Sequence, residues 1–309
     1  FLLHIKTMKG KGLDEMANDS PVNIHWNHAF SPETYEKTEI SIFPGGRDNT
    51  EYVNNAVDKI FHEDKNPVLI SPGVRGNAGV SNIFSKYKDR CIDVSLAEQH
   101  AVTLGGGFAL KGIKPIIAME SSFMIRAFGQ IKHDICINNL PILIIAARSG
   151  HGFTDHITHN ALQDIAYLRS MPNLRIVYPV SCEDLEMTIL DEYYNLVQPT
   201  IILFPKANKL EDPDIEVVKC CDTSFKKDEI ALGLLLSVGP QNKNTQVLQS
   251  ILKEDGVTFD HIAVKHIEPL DSNLYNILPQ YNYIVTLEEG IKDGGFGSMI
   301  LENINDVSN

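Results

Sequence analysis

Residues 92–107 read IDVSLAEQHAVTLGGG, and the way this stretch changes character decides the fold. Its front, together with Cys91, is a short run to Val94 with the look of a strand, and the run from Ala101 to Leu110 is mostly small, apolar and glycine-rich. A strand that passes into a helix within a few residues is the unit from which parallel sheets are built. Glu98 stands at the junction, beside Gln99 and His100. An acid between two buried elements either complements the positive end of a helix or has chemistry to perform. The run Gly105 to Gly107 has no following Lys-Ser/Thr and lies in mid-helix, so it is no phosphate loop. Glycine weakens a helix, which predicts close approach of another helix, at a tight subunit interface near Glu98.

The same alternation extends both ways. Helices are expected at 51–61, 82–87, after 97, and at 122–139, 161–169 and 182–197. Strands are expected at 67–70, 91–94, 115–119, 142–147, 175–178 and 200–204. A charged segment, 206–227, follows Pro205 and contains Pro213, as a linker does. A shorter alternation follows it, with strands at 230–237, 259–264 and 283–287, helices at 245–253 and 272–278, and a last helix after Gly297. The expected class is α/β, with two doubly wound domains and mostly parallel sheets. The first 45 residues are irregular, with a basic KGKG turn at 9–12. The opening FLLHIKT, starting at Phe1, reads as a strand entered in mid-fold, so the chain is expected to begin inside a larger protein.

A length of 309 residues suffices for two cores. The formal charge of -13 and the lack of a basic block exclude a nucleic-acid surface. No apolar run approaches the roughly 20 residues of a membrane span. Cys91, Cys136, Cys182, Cys220 and Cys221 have neither metal-ligand spacing nor the density of a disulfide scaffold. They read as reduced thiols of an intracellular protein.

In open parallel sheets ligands bind beyond the carboxyl ends of the strands. The segments leaving those ends carry Glu98, Phe123, Arg126, Arg148, His151, Asp155, His156, His159 and Lys206. The loop 149–160, SGHGFTDHITHN, is the densest. Its imidazoles and carboxylate suit zinc or iron in type, but their spacing fits no helical metal motif. Imidazoles handling protons on a small carbonyl substrate are the competing reading, and a plain solvated loop is the third. Arg148 and Lys206 together suit a phosphate or carboxylate, Arg through its fork and Lys as a point charge. Phe123 is either a stacking platform or the first core residue of its helix.

Taken in order, HIKTMKGKG (4–12), IHWNHAF (24–30), DVSLAEQHAVT (93–103), SSFMIRAFGQIKHDI (121–135), the TDHITH loop (154–159), DIAYLRSMPN (164–173), EPLD (268–271), TLEEG (286–290) and GGFG (294–297) resemble the thiamine-diphosphate-dependent transketolase superfamily. The nearest branch is that of the 1-deoxy-D-xylulose-5-phosphate synthases. The resemblance implies a diphosphate-domain tail and connector at 1–46, a pyrimidine-binding domain at 47–208, a linker at 209–227 and an incomplete C-terminal domain at 228–309. It implies decarboxylative condensation of pyruvate with glyceraldehyde 3-phosphate, a step of isoprenoid-precursor and thiamine synthesis. The cofactors implied are thiamine diphosphate and Mg2+, the protein a homodimer, and its place the cytoplasm or a plastid-type organelle.

Residue roles follow from the same resemblance. Glu98 would hydrogen-bond the cofactor's aminopyrimidine, on which Phe123 would stack. Arg126 would hold the pyruvate carboxylate, and Asp155 and His159 would position the acceptor and move protons. Arg148 and Lys206 would grip the acceptor phosphate, and His25 would lie near the cofactor diphosphate or the reacting carbon. No protein metal ligand is assigned within this chain, because the family's Gly-Asp-Gly metal and diphosphate motif has no counterpart here. That part is expected in a missing N-terminal domain, on the same polypeptide or a separate chain. The sequence departs from the family at Glu120 (usually Tyr), Gly129 (Asp), His156 (Gly) and Lys206 (Arg). Two alternatives stand beside this reading: a beta-type subunit of a 2-oxo acid dehydrogenase or split transketolase, and a non-catalytic relative with an assembly role.

Overall fold

Alternating Val, Ile, Leu and Ala with almost no charge makes the strands of the first sheet suited to burial on both faces. A computed structural model describes residues 1–7, 49–151, 157–205 and 225–307. His25, Asp155, His156, Lys206, Cys220, Cys221 and most of the expected linker lie outside the described residues. Contacts divide the chain between Gly45 and Gly46. In the first of these parts, residues 1–7 are exposed and form no strand, contrary to expectation, since an extended run needs a partner strand to persist.

In the second part the elements run α1 (Asn49–Glu63), β1 (Val68–Ser71), α2 (Ser81–Lys86), β2 (Cys91–Asp93), α3 (Glu98–Ala109), β3 (Pro115–Glu120), α4 (Ser121–Met124), α5 (Phe128–Gln130), β4 (Leu143–Ala147), α6 (Asp164–Leu168), β5 (Arg175–Val177), α7 (Cys182–Tyr194) and β6 (Thr200–Phe204). Then follow β7 (Gly233–Val238), α8 (Gln241–Glu254), β8 (Phe259–Val264), β9 (His266–Glu268), α9 (Ser272–Ile277), β10 (Ile284–Leu287) and α10 (Phe296–Val307). One sheet has the order β2-β1-β3-β4-β6-β5-β9 and the other β10-β7-β8. Every pairing is parallel except β5 with β9.

Period-two burial sorts the β4 side chains cleanly. Leu143, Ile145 and Ala147 join a core under α1 and α7, with Val57, Ile60, Phe61, Leu185 and Ile189. Ile144 and Ala146 join the opposite core, which holds Val102, Met124 and Ile131 and continues into Leu236, Ile262 and Val264 of the second sheet. The two sheets therefore share one apolar core.

Two departures from expectation matter for function. The helix expected at 122–139 is broken into α4, a 3-10 turn at Ile125–Ala127, α5 and a π-helical stretch at Ile131–Cys136. The π turn packs beside α3, where Gly106 leaves its backbone bare against the Asp134 carbonyl. Within the chain, the glycine run thus admits more than a helix: a Cβ on Gly105 would stand 2.8 Å from Ile117 Cδ1 on β3, while Gly107 faces open space.

The second departure is β9, which had no sequence expectation. Ile267 is wholly buried between half-buried neighbours His266 and Glu268, the pattern of a one-faced strand. Tyr178 N–H donates to the Lys265 carbonyl (2.8 Å), and Arg175 Nη2 lies 3.2 Å from His266 Nδ1. β9 thereby ties the C-terminal segment to the first sheet. Replacing Ile267 by Ala should cost about 2–5 kcal/mol. Urea unfolding of the variant should show that loss as a lower midpoint; an unchanged midpoint would contradict the role given to β9.

Candidate functional site

Parallel strands deliver the residues that follow their carboxyl ends to one rim, and three buried acids sit there. Glu98 opens α3 behind Ala97, which offers no side-chain cap, and is 1% exposed. Arg126 Nη1 lies 3.1 Å from Glu98 Oε2. That approach is a charge contact only, because no N–H is aimed at Oε2, which has no hydrogen-bond partner. Arg126 itself is half exposed.

Three residues before Arg126, the Phe123 ring meets the His159 ring edge-on at 5.3 Å between centroids. His159 Nδ1 is 3.0 Å from Thr158 Oγ1. Glu98 with Arg126 and Phe123 with His159 thus form two contacting pairs, three of the four residues held by α3 and the broken helix and His159 by the segment after β4. Among the described residues no group of three acid, imidazole or thiol ligands comes together for a metal.

Arg148 takes a different place from Arg126. It has φ +66°, its side chain is 13% exposed, and Nη1 lies 3.3 Å from Oε1 of buried Glu120. Asn77 Nδ2 donates to the other oxygen of Glu120 at 2.9 Å. The Arg148 charge is therefore held against a carboxylate at the end of β3. The expectation of Arg148 as a phosphate ligand did not foresee this pair; the only signal in the sequence was an acid ending an apolar strand.

The third acid, Asp164, had been given no role. It is 3% exposed, and its Oδ2 accepts hydrogen bonds from Ser121 Oγ and from Ser149 Oγ, the latter at 2.7 Å. Burial pushes its carboxyl up to about 6, against the opposing pull of the two hydroxyls. The turn after β4 is pinned further by the other sheet's connections. His151 N–H donates to Glu289 Oε2 (3.0 Å), Gln241 Nε2 donates to Glu289 Oε1 (3.3 Å), and a Cβ on Gly150 would reach within 2.5 Å of Glu289. Tyr178 hydroxyl donates to the Ser149 carbonyl at 3.3 Å.

Two outcomes follow from these burials. Arg148→Ala strands the Glu120 carboxylate and should cost about 3–5 kcal/mol in urea unfolding, most of it recovered when Glu120→Gln is added. Additive losses in the double variant would show that the pair is not coupled. For Asp164 the folded value of about 6 lies above the reference value of 3.8, so the folded state binds the proton more tightly. That contribution is fully present below about pH 4 and is lost as pH rises through about 6. Relative to Asp164→Asn, the wild-type chain should therefore gain stability, on the order of 1 kcal/mol per pH unit, as pH falls from 6 towards 4. A difference independent of pH over that window would refute the assignment.

Comparison with known proteins gives the chain's family. Residues 46–210 match the transketolase pyrimidine-binding domain and residues 232–309 the transketolase C-terminal domain. The chain is 33% identical over 310 residues to a 1-deoxy-D-xylulose-5-phosphate synthase of Microcystis aeruginosa, covering 99% of this chain and 48% of that protein. It is 32% identical over 312 residues to a synthase of the same name from Clostridium perfringens, covering 99% and 49%. The chain thus spans about half the length of the curated relatives it matches. Its fold is similar to a solved chain described as a split gene transketolase, inactive beta4 tetramer, with a TM-score of 0.71, 20% identity, and coverage of 85% of this chain and 86% of that one. With both domain models matched in order around one rim of buried acids, the chain belongs to the transketolase family.

Proposed function

We propose that this chain supplies the pyrimidine-binding side of a thiamine-diphosphate site. The whole enzyme would join pyruvate to glyceraldehyde 3-phosphate with loss of carbon dioxide, giving 1-deoxy-D-xylulose 5-phosphate for isoprenoid-precursor synthesis. The observation that carries the reading is the Glu98 Oε2 atom, buried and without a hydrogen-bond donor. A desolvated acceptor of this kind costs stability unless a bound group supplies the missing proton. The ring nitrogen of an aminopyrimidine, in its protonated form, fits that need, with Phe123 as the face on which the ring stacks. When bound, thiamine diphosphate supplies a nucleophilic carbon and an electron sink for decarboxylation. Mg2+ belongs with the diphosphate, for which the described residues offer no ligand cluster.

The chain's own residues divide the remaining work. Glu98 accepts a proton shared with the pyrimidine ring and holds that ring in the orientation which activates it. Arg126, half exposed beside Glu98, binds the donor carboxylate by its fork. His159, against Phe123, moves a proton at the acceptor aldehyde, with Asp155 orienting the same group. Arg148 turns towards the acceptor phosphate from its anchor on Glu120, and Lys206 adds a second charge. His25 serves the diphosphate side or the reacting carbon, and the active assembly is a homodimer in the cytoplasm or a plastid-type organelle.

The test uses the complete enzyme, with its diphosphate-binding part, Mg2+, thiamine diphosphate, pyruvate and glyceraldehyde 3-phosphate. Carbon dioxide release should match formation of the five-carbon ketose phosphate. Release with a lipoyl acceptor but not with the aldehyde would overturn this reading in favour of a 2-oxo acid dehydrogenase subunit. Glu98→Ala should lower kcat roughly 100-fold or more. Its melting temperature should hold or rise, because the variant removes a polar atom that has no hydrogen-bond partner. Near-normal turnover would refute the role of Glu98.

A further inference from the structure

A buried carboxylate that carries a desolvation penalty is a poor device for stability alone. Asp164 carries that penalty at the rim, where its one oxygen joins two segments 28 residues apart in sequence: Ser121 at the start of α4 and Ser149 after β4. Ser121 lies two residues before Phe123 and five before Arg126. Ser149 lies between Arg148 and the Gly150–His151 turn, and Gly150 bridges back to Ala161, just before α6 itself. The donor side and the acceptor side of the rim therefore meet at Asp164 Oδ2.

We propose that Asp164 is a positioning residue, a clamp that sets the pyrimidine- and donor-binding segment (121–126) in register with the acceptor-side turn at 148–151. This rests on the functional reading above for the names of the two sides, but the clamp itself rests only on the hydrogen bonds. Both hydroxyls must donate to the carboxylate for the clamp to close, so each hydroxyl is otherwise committed and neither acts as a nucleophile or acid. The serine at each end fixes one side only. Removal of a hydroxyl releases its own segment, whereas removal of the carboxylate releases both.

The experiment compares Ser121→Ala, Ser149→Ala, Asp164→Ala and Asp164→Asn in the complete enzyme, by steady-state kinetics and by backbone hydrogen exchange. Ser121→Ala should raise the KM for pyruvate about fivefold and leave the KM for glyceraldehyde 3-phosphate within twofold. Ser149→Ala should do the reverse, Asp164→Ala should raise both, and Ser121→Ala combined with Ser149→Ala should match Asp164→Ala. Asp164→Asn keeps a carbonyl oxygen for both hydroxyls and should stay within about threefold of wild type in both KM values and in kcat. Hydrogen exchange should quicken in 121–130 for Ser121→Ala, in 149–151 and 157–161 for Ser149→Ala, and in both for Asp164→Ala. The proposal is overturned if Asp164→Ala changes the melting temperature while both KM values hold, or if Asp164→Asn is as damaging as Asp164→Ala. Should Asp164→Ala not fold, the side-specific split of the two serine variants decides the matter. A wild-type enzyme without turnover on this substrate pair would refute the functional reading, and the exchange pattern would still test the clamp.

Discussion

Charge buried at the carboxyl ends of a parallel sheet is the constraint on which the rest of this molecule depends. Apolar strands covered on both faces can be continuous only if polar groups wait at their ends, and the loops there inherit every acid the site needs. Glu98, Glu120 and Asp164 all lie on that rim and are almost fully buried. Each meets the cost of desolvation differently. Glu120 is paired with Arg148 and accepts from Asn77, Asp164 accepts from two hydroxyls, and Glu98 keeps one oxygen without a hydrogen bond. The two satisfied acids are fixed points, and Glu98 is the one left with an oxygen that no donor reaches.

The surroundings serve those fixed points. The broken helix after β3 puts Phe123 and Arg126 at the rim while its π turn lets the chain lie along the bare backbone of α3 at Gly106. The second sheet supports the same rim from behind. Glu289, which follows β10, holds the His151 amide, while within the first sheet Tyr178 holds the Ser149 carbonyl and β9 pairs antiparallel with β5. A C-terminal segment remote in sequence thereby holds the turn after Arg148, and the two sheets share one core.

Of the departures from the pattern that the resemblance implies, Glu120 has a counterpart in the structure. Glu120 replaces an uncharged ring with a carboxylate, and the neighbouring Arg148 compensates it at 3.3 Å. The positive φ of Arg148 places the guanidinium back over the strand end, where the pair is sheltered from water and its charges are screened little.

Much of the fold was legible in the residues themselves. Strand and helix identities followed from period and length for α1, β3, β4, α7 and β6, because propensity, burial pattern and punctuation agreed there. The broken helix was not legible: its apolar residues recur at helical spacing, and the π turn lies where the segment packs against α3. β9 was equally hidden, since three residues with one buried side chain form a strand only when β5 offers an edge. For the site, the sequence by itself determined the acid at the mouth of α3, the aromatic and cation spaced three apart after β3, and the histidine loop after β4. Only the tertiary structure decided what each charge faces, namely Arg148 on Glu120, Arg126 beside Glu98, and two serines on Asp164. The reason is physical: period and composition govern which residues are buried, whereas pairing across segments dozens of residues apart depends on the register and twist of the sheet that brings their ends together.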